Sequence, residues 1–182
     1  MPHIAAPEGL PGLAGLTAFK PSVGSKLLAF AQELLRGPSP LSAADRELIA
    51  AFVSSRNDCT FCARTHQAVA THLIGDDGSA ACALIDDVET APVDDKLRSL
   101  LRIAAKVARS GREVDADDIA AARSAGASDE DIHDAVLVAA AFCMFNRYVD
   151  GLDALTPEDD ATYDFIGTML GEGGYELPLP DA

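Results

Sequence analysis

The sequence predicts an all-α fold, and three observations carry that expectation. Apolar residues recur at helical spacing through successive segments from residue 22 onward, whereas no stretch alternates apolar and polar residues with a period of two, and no hairpin dipeptide joins two β-branched runs. Aromatic residues make up only 5% of the 182 residues, with no Trp, against 48% hydrophobic residues, so alanine and the aliphatics fill the interior. Small side chains of that kind suit closely packed helices, and the length suits one domain with a sizeable core.

Residues 1–20 are rich in Pro and Gly and hold no sustained period; they read as an N-terminal arm lying over the body or over a neighbouring subunit, with 21–182 as the helical domain. From Ser22 to Arg36, the residues Val23, Leu27, Leu28, Phe30, Ala31, Leu34 and Leu35 mark a first helix, which Gly37-Pro38 stops. Ser42, with Asp45 three residues on, forms a capping pair for a second helix that runs to about Arg56, where Asn57-Asp58 breaks it. The segment from Cys59 to Ile74 is helical again and ends at Gly75. Helices are then expected over 79–87, over 94–110 with a Leu97, Leu100, Leu101, Ala104, Ala105, Ala108 stripe, and over 115–124, 128–148 and 158–170. The stretch DADDIAAARSAGASDEDIHDAVLVAAAF pairs only loosely with LSAADRELIAAFV, and no repeat is assigned.

Charge and composition exclude several functions. A formal net charge of −15 without a basic cluster repels a phosphate backbone, which argues against nucleic-acid binding. The N-terminal residues lack the basic and continuous apolar regions of a signal peptide, and nowhere do about 18 uncharged apolar residues run together, so a soluble cytoplasmic protein is expected. The four cysteines, at 59, 62, 82 and 143, make no evenly spaced disulfide framework. In a reducing compartment, the close pair among them points to redox or metal chemistry.

That pair lies in NDCTFCARTHQ, at the start of the third helix. Cys62 and His66 are an i,i+4 pair, so thiol and imidazole share a helix face and can share a proton. Free N–H groups and the positive dipole end at a helix start favour a thiolate, which makes Cys62 the candidate nucleophile. Cys59, one turn earlier, can close a disulfide with it. Glu47 lies in the preceding helix on a face of small residues, Ala50, Ala51 and Ser54. If the two helices form an antiparallel hairpin, it reaches His66 directly or through water, as orienter or proton acceptor.

Glu47, eleven intervening residues, Cys59-x-x-Cys62, three more and His66 together resemble the active-site signature of the alkylhydroperoxidase AhpD-like family, which also contains the carboxymuconolactone decarboxylases. The flanking RELIAAFVSSRNDCTFCARTHQ is similar to that family too, and AAAFCMFNRYVDGL, Ala139 to Leu152, resembles its peroxidase-related branch. The similarity is tight over about residues 42–75, looser to about 155 and absent from the arm. It implies an all-helical AhpD-like bundle, self-assembly into dimers, trimers or hexamers, and reduction of hydroperoxides by a dithiol without metal, flavin or haem. Carried over, Cys62 attacks the peroxide, Cys59 resolves the sulfenic acid as a disulfide, Glu47 and His66 relay protons, and a dithiol donor such as a lipoyl-bearing protein resets the pair. Phe61 departs from the pattern, because the best-studied type carries a further histidine there, and a relay through that position is excluded.

Other readings compete. Cys59, Cys62 and His66 make three ligands of a tetrahedral zinc site, but the usual second half is missing and Glu47 completes it only if geometry permits. Carboxymuconolactone-type decarboxylation does not require a dithiol, so both cysteines argue against it. A non-enzymatic thiol switch predicts oxidation without rapid turnover. Cys82 and Cys143, with no His or second Cys nearby in sequence, are expected in the core, and His133 among acidic residues is expected exposed and ion-paired.

Overall fold

The computed structural model describes residues 2–176; Met1 of the arm and residues 177–182 of the domain lie outside the described residues. Among them are nine α-helices and no strand: α1 (Gly12–Phe19), α2 (Pro21–Arg36), α3 (Ala43–Arg56), α4 (Thr60–Ile74), α5 (Ser79–Asp86), α6 (Asp95–Arg109), α7 (Ala116–Ser124), α8 (Asp129–Gly151) and α9 (Asp160–Gly173), with a 3-10 turn at Gly111–Glu113. Helices α2 to α9 occupy the segments that the periodicity marks, α8 and α9 each running three residues further than expected.

Helix boundaries follow from local chemistry. Ser42 and Asp45 form a reciprocal capping box at α3, as do Asp115 with Asp118 at α7 and Ser128 with Asp131 at α8. Gly75 closes α4 in the left-handed conformation, φ 76°, and returns its N–H to the Thr71 carbonyl. Helix α3 is the axis of the fold: Arg46 through Ser54 are all buried, and α4, α6 and α8 pack around it. Its Ala50, Ala51 and Ser54 let neighbouring backbones approach. Helix α9 covers the other side of α4 at equally short range, since a Cβ on Gly167 would stand 2.8 Å from the Ala68 carbonyl carbon. Helix α8 is the one helix among the described residues long and apolar enough to cross a membrane by length and composition. Here it is a core helix, with Ile132, Ala135, Val138, Phe142, Phe145 and Val149 buried.

Two expectations need correcting. Residues 12–19 of the arm are helical, although nothing in their pattern announces it. The stretch carries only Leu16 as a fully buried large side chain, and its packing against α2 and α8 supplies what its composition lacks. Cys82 and Cys143 are not core residues. Helix α5 lies at the surface and buries only Ala81 and Leu84, which leaves Cys82 exposed beside Gln67, while Cys143 is half-buried at the edge of α8 near Asn57. His133 is exposed and pairs with Asp134 at 2.9 Å.

Candidate active site

The turn between α3 and α4 sets the position of both cysteines. Asp58 takes a left-handed conformation, φ 58°, which Asp tolerates better than most residues, and the Cys59 N–H then donates to the Ser54 carbonyl at 3.0 Å. Behind the turn, Asn57 donates to the Asn146 side-chain carbonyl at 2.8 Å, and Asn146 donates to the Ser54 hydroxyl at 3.0 Å. These contacts hold the end of α3 to α8. Cys59 is the N-cap residue of α4 and Cys62 lies in its first turn. No side chain caps α4, unlike α3, α6, α7, α8 and α9, so its leading amides and their positive dipole are left beside the sulfurs.

Helices α3 and α4 pack directly on one another, and Glu47 meets His66 across them with Oε2 2.6 Å from Nδ1. Glu47 is completely buried, yet its carboxylate is fully engaged. Oε1 accepts from Arg36 Nη1 at 2.6 Å and from the Tyr175 hydroxyl at 2.7 Å. Burial pushes the Glu47 carboxyl up, but the charge and hydrogen bond of His66, the Arg36 guanidinium and the Tyr175 hydroxyl outweigh it and hold the group below the ordinary carboxylate range. Burial, with Glu47 beside it, pushes the Tyr175 phenol well above its usual value, so it stays a neutral donor. Because the carboxylate can only accept, Nδ1 of His66 is the donor in this bond, and in the neutral ring the other nitrogen is an acceptor. Phe142 meets the imidazole edge-on, with ring centroids 4.5 Å apart, and fixes its plane.

The two thiols differ. Cys59 is wholly buried and hydrogen-bonded to Cys62; that contact first, and burial second, push its thiol far up. Cys59 therefore remains protonated and donates toward Cys62, which is the sulfur that faces open space. Cys62, Thr65 and His66 share one wall of a cavity of about 700 Å³. Leu13, Leu28, Leu35, Phe145, Ile166 and Met169 form much of the remainder, and no Lys, Arg, Asp or Glu lines it among the described residues. Helix α1 closes one side. Phe61, between the cysteines, also lines the cavity, and its ring lies so close to Gly12, φ 49°, that a Cβ there would collide with it.

The structure thus joins Glu47 to His66 and Cys59 to Cys62, sets Cys62 and His66 on one wall of the same cavity, and adds two residues that the sequence reading missed. Arg36 offers a faint signal, a cation in the last turn of an apolar helix just before Gly37-Pro38. Tyr175 offers none, since 128 residues separate it from Glu47. Among the described residues no three His, Cys, Asp or Glu side chains are grouped so as to hold a metal ion.

The sequence pattern of the carboxymuconolactone decarboxylase family matches residues 21–91 and again 79–157, together well over half of the chain. The chain belongs to that family. An uncharacterized peroxidase-related protein from Silicibacter sp. TM1040 has a similar structure, with 32% identity and a TM-score of 0.77 over 85% of this chain and 78% of that one. A second similar structure is that of an uncharacterized peroxidase-related protein from Ralstonia eutropha JMP134, described as an alkylhydroperoxidase AhpD core. It superposes with a TM-score of 0.77 at 24% identity over 86% of this chain and 80% of that one, a likeness of fold. No curated protein matches. The AhpD-like helical fold of this family member is the frame within which α3 and α4 bring Glu47 against His66.

Proposed function

We propose that this AhpD-like protein is a thiol-dependent peroxidase, acting in antioxidant defence, that reduces organic hydroperoxides through a Cys59–Cys62 dithiol/disulfide cycle. The observation that carries the reading is the placement of Cys62 at the polar end of an apolar cavity, with the buried Glu47–His66 pair beside it and the protonated Cys59 behind it. The imidazole takes the Cys62 proton, and Glu47 stabilises the imidazolium that results. The thiolate attacks the terminal oxygen of ROOH, the O–O bond breaks, and the departing alkoxide takes the proton back from His66 to leave as ROH. Cys62 is then a sulfenic acid. Cys59 attacks that sulfur, forms the disulfide and releases water. A dithiol donor, of the kind a lipoyl-bearing protein provides, returns both thiols and is itself oxidised to a disulfide.

An apolar cavity favours organic hydroperoxides over hydrogen peroxide, because the organic group removes its own surface from water on entry. The same lining disfavours the decarboxylase alternative, since the carboxylates of a carboxylated lactone would meet no cation there. We place the cycle in the cytoplasm, in keeping with four cysteines that make no evenly spaced disulfide framework. Self-association into a dimer, trimer or hexamer is also part of the reading, supported by an exposed strip of α8 with Leu137, Ala140 and Met144 on one face. The deciding test is to add one equivalent of cumene hydroperoxide to the fully reduced protein and to follow the Cys59–Cys62 disulfide by peptide mass spectrometry. Rapid stoichiometric formation is expected; a protein that keeps both thiols would overturn the proposal.

A further inference from the structure

Cys59 is wholly buried and does not line the cavity that Cys62 and His66 share, so its proton has no direct way out to water on that side. Besides Cys62, its thiol is hydrogen-bonded to the side chain of Asp150, an exposed residue in the last turn of α8. The place of Asp150 is set independently of the sulfur. Asn146, four residues earlier on the same face of α8, accepts from Asn57 at 2.8 Å and donates to the Ser54 hydroxyl at 3.0 Å, while the Cys59 N–H donates to the Ser54 carbonyl. This face of α8 therefore grips the turn that carries Cys59. An anion at that point is not explained by helix stability, because the negative end of the α8 dipole disfavours it and no basic residue shares the last turn.

A thiol has one proton, and here two acceptors compete for it. While Cys62 is a thiolate, the proton turns to that sulfur. Once Cys62 is a sulfenic acid its sulfur is the electrophile, and Asp150 is the acceptor that remains. We infer that Asp150 is a further catalytic residue, the general base that takes the Cys59 proton as this thiol closes the disulfide. The inference rests on the peroxidase reading above. The Cys59 S–H bond breaks toward the carboxylate, and its electron pair forms the S–S bond with Cys62. The S–O bond of the sulfenic acid breaks in the same step, and the departing hydroxide takes a proton from solvent to leave as water. Asp150 returns its own proton to solvent from its exposed side, so one thiol and one sulfenic acid yield one disulfide and one water. Peroxide attack at Cys62 does not involve Asp150.

Asp150→Asn keeps the shape and an acceptor oxygen for the thiol but takes up no proton, whereas Asp150→Glu keeps the carboxylate. The fully reduced protein is mixed with one equivalent of cumene hydroperoxide and quenched at intervals with dimedone and N-ethylmaleimide, and the Cys59 and Cys62 peptides are followed by mass spectrometry. In D150N the sulfenic acid should form at the parent rate and the disulfide should close about 100-fold more slowly. Excess hydroperoxide should then carry Cys62 of D150N on to the sulfinic acid under conditions where the parent stops at the disulfide. D150E should close faster than D150N. Closure at the parent rate in D150N, or closure no faster in D150E than in D150N, would overturn the role of Asp150. Sulfenic acid formation that slows in parallel with closure, together with a lowered Tm, would overturn it too, by making Asp150 a brace for the turn. A parent that forms neither sulfenic acid nor disulfide would instead overturn the peroxidase reading on which the inference stands.

Discussion

Replacing Glu47 by Gln tests the centre of the site, and the geometry sets the size of the effect. Both carboxylate oxygens of Glu47 face donors, His66 Nδ1 on one side and Arg36 with Tyr175 on the other. An amide has only one acceptor oxygen, so a Gln that keeps Arg36 and Tyr175 turns its NH₂ group to Nδ1 and forces His66 into the other tautomer, while the opposite orientation sets the NH₂ group against the Arg36 and Tyr175 donors. The Arg36 side chain, only 13% exposed, is left without its anion. Removing one partner of a buried ion pair costs about 3–5 kcal/mol, and the partial exposure of Arg36 argues for about 3. For a chain of this size, that lowers Tm by roughly 6–12 °C. Arg36→Met added to E47Q removes the stranded charge. The double variant should therefore be more stable than the sum of the two single effects by about 2 kcal/mol in urea unfolding. Peroxide oxidation of Cys62 should nevertheless stay about 100-fold slow in both, because the imidazole has lost its counter-charge. The acid limb supplies a second reading. The Glu47 carboxyl lies below its ordinary value of 4.5, so its contribution to stability is full above that pH and is lost as pH falls through the lower folded-state value. E47Q should flatten this limb. Additive single effects, together with an unchanged slope below pH 4.5, would refute the account of the cluster.

The remaining predictions concern the thiols and the tyrosine. Cys62→Ser should abolish hydroperoxide consumption, whereas Cys59→Ser should react once and accumulate a sulfenic acid that dimedone traps; dimedone labelling at neither cysteine would reverse or remove the assignment. Cys82→Ser, at an exposed thiol outside the cavity, should match the parent in single-turnover oxidation by cumene hydroperoxide. Tyr175→Phe deletes the 2.7 Å hydrogen bond to Glu47 and should cost about 1–2 kcal/mol in urea unfolding. The raised Tyr175 phenol contributes stability that is full below its unfolded value of 10.0 and is lost as pH rises beyond it, so Y175F should be less sensitive than the parent above pH 10; identical alkaline unfolding would place the phenol outside the cluster.

The legibility of the sequence divides along contact range. Helices α2 to α9 are marked by period, by caps or, for the eight-residue α5, by the Asp76-Asp77-Gly78-Ser79 turn before it. Helix α1 is eight residues of mostly small side chains, and only neighbouring helices make it stable. The site divides in the same way. The i,i+4 relation of Cys62 and His66 and the hairpin of α3 and α4 are local, so their residue types and spacing already imply the meeting of Glu47 with His66. The exposure of Cys82 was not legible, because a small apolar residue type says nothing about which side of a short surface helix it will occupy. Tyr175 arrives from beyond α9, and no spacing rule reaches that far.

The long-range half of the cluster changes what the local half can do. Glu47 is sealed from water, and His66 is the first of the groups that hold its carboxyl below the ordinary range. Arg36 and Tyr175 add a charge and a donor to one oxygen, which reserves the other for the imidazole. The Glu47–His66 pair thus depends on α2 and on the segment after α9 as well as on the α3–α4 hairpin. Loosening either end of the chain should disable the chemistry before it unfolds the core. The Tyr175→Phe and Arg36→Met variants separate the two ends, since the first keeps the charge and loses the donor and the second does the reverse. If both slow Cys62 oxidation while α3 and α4 keep their helicity, the site is completed by its distant partners; if neither does, the hairpin alone suffices.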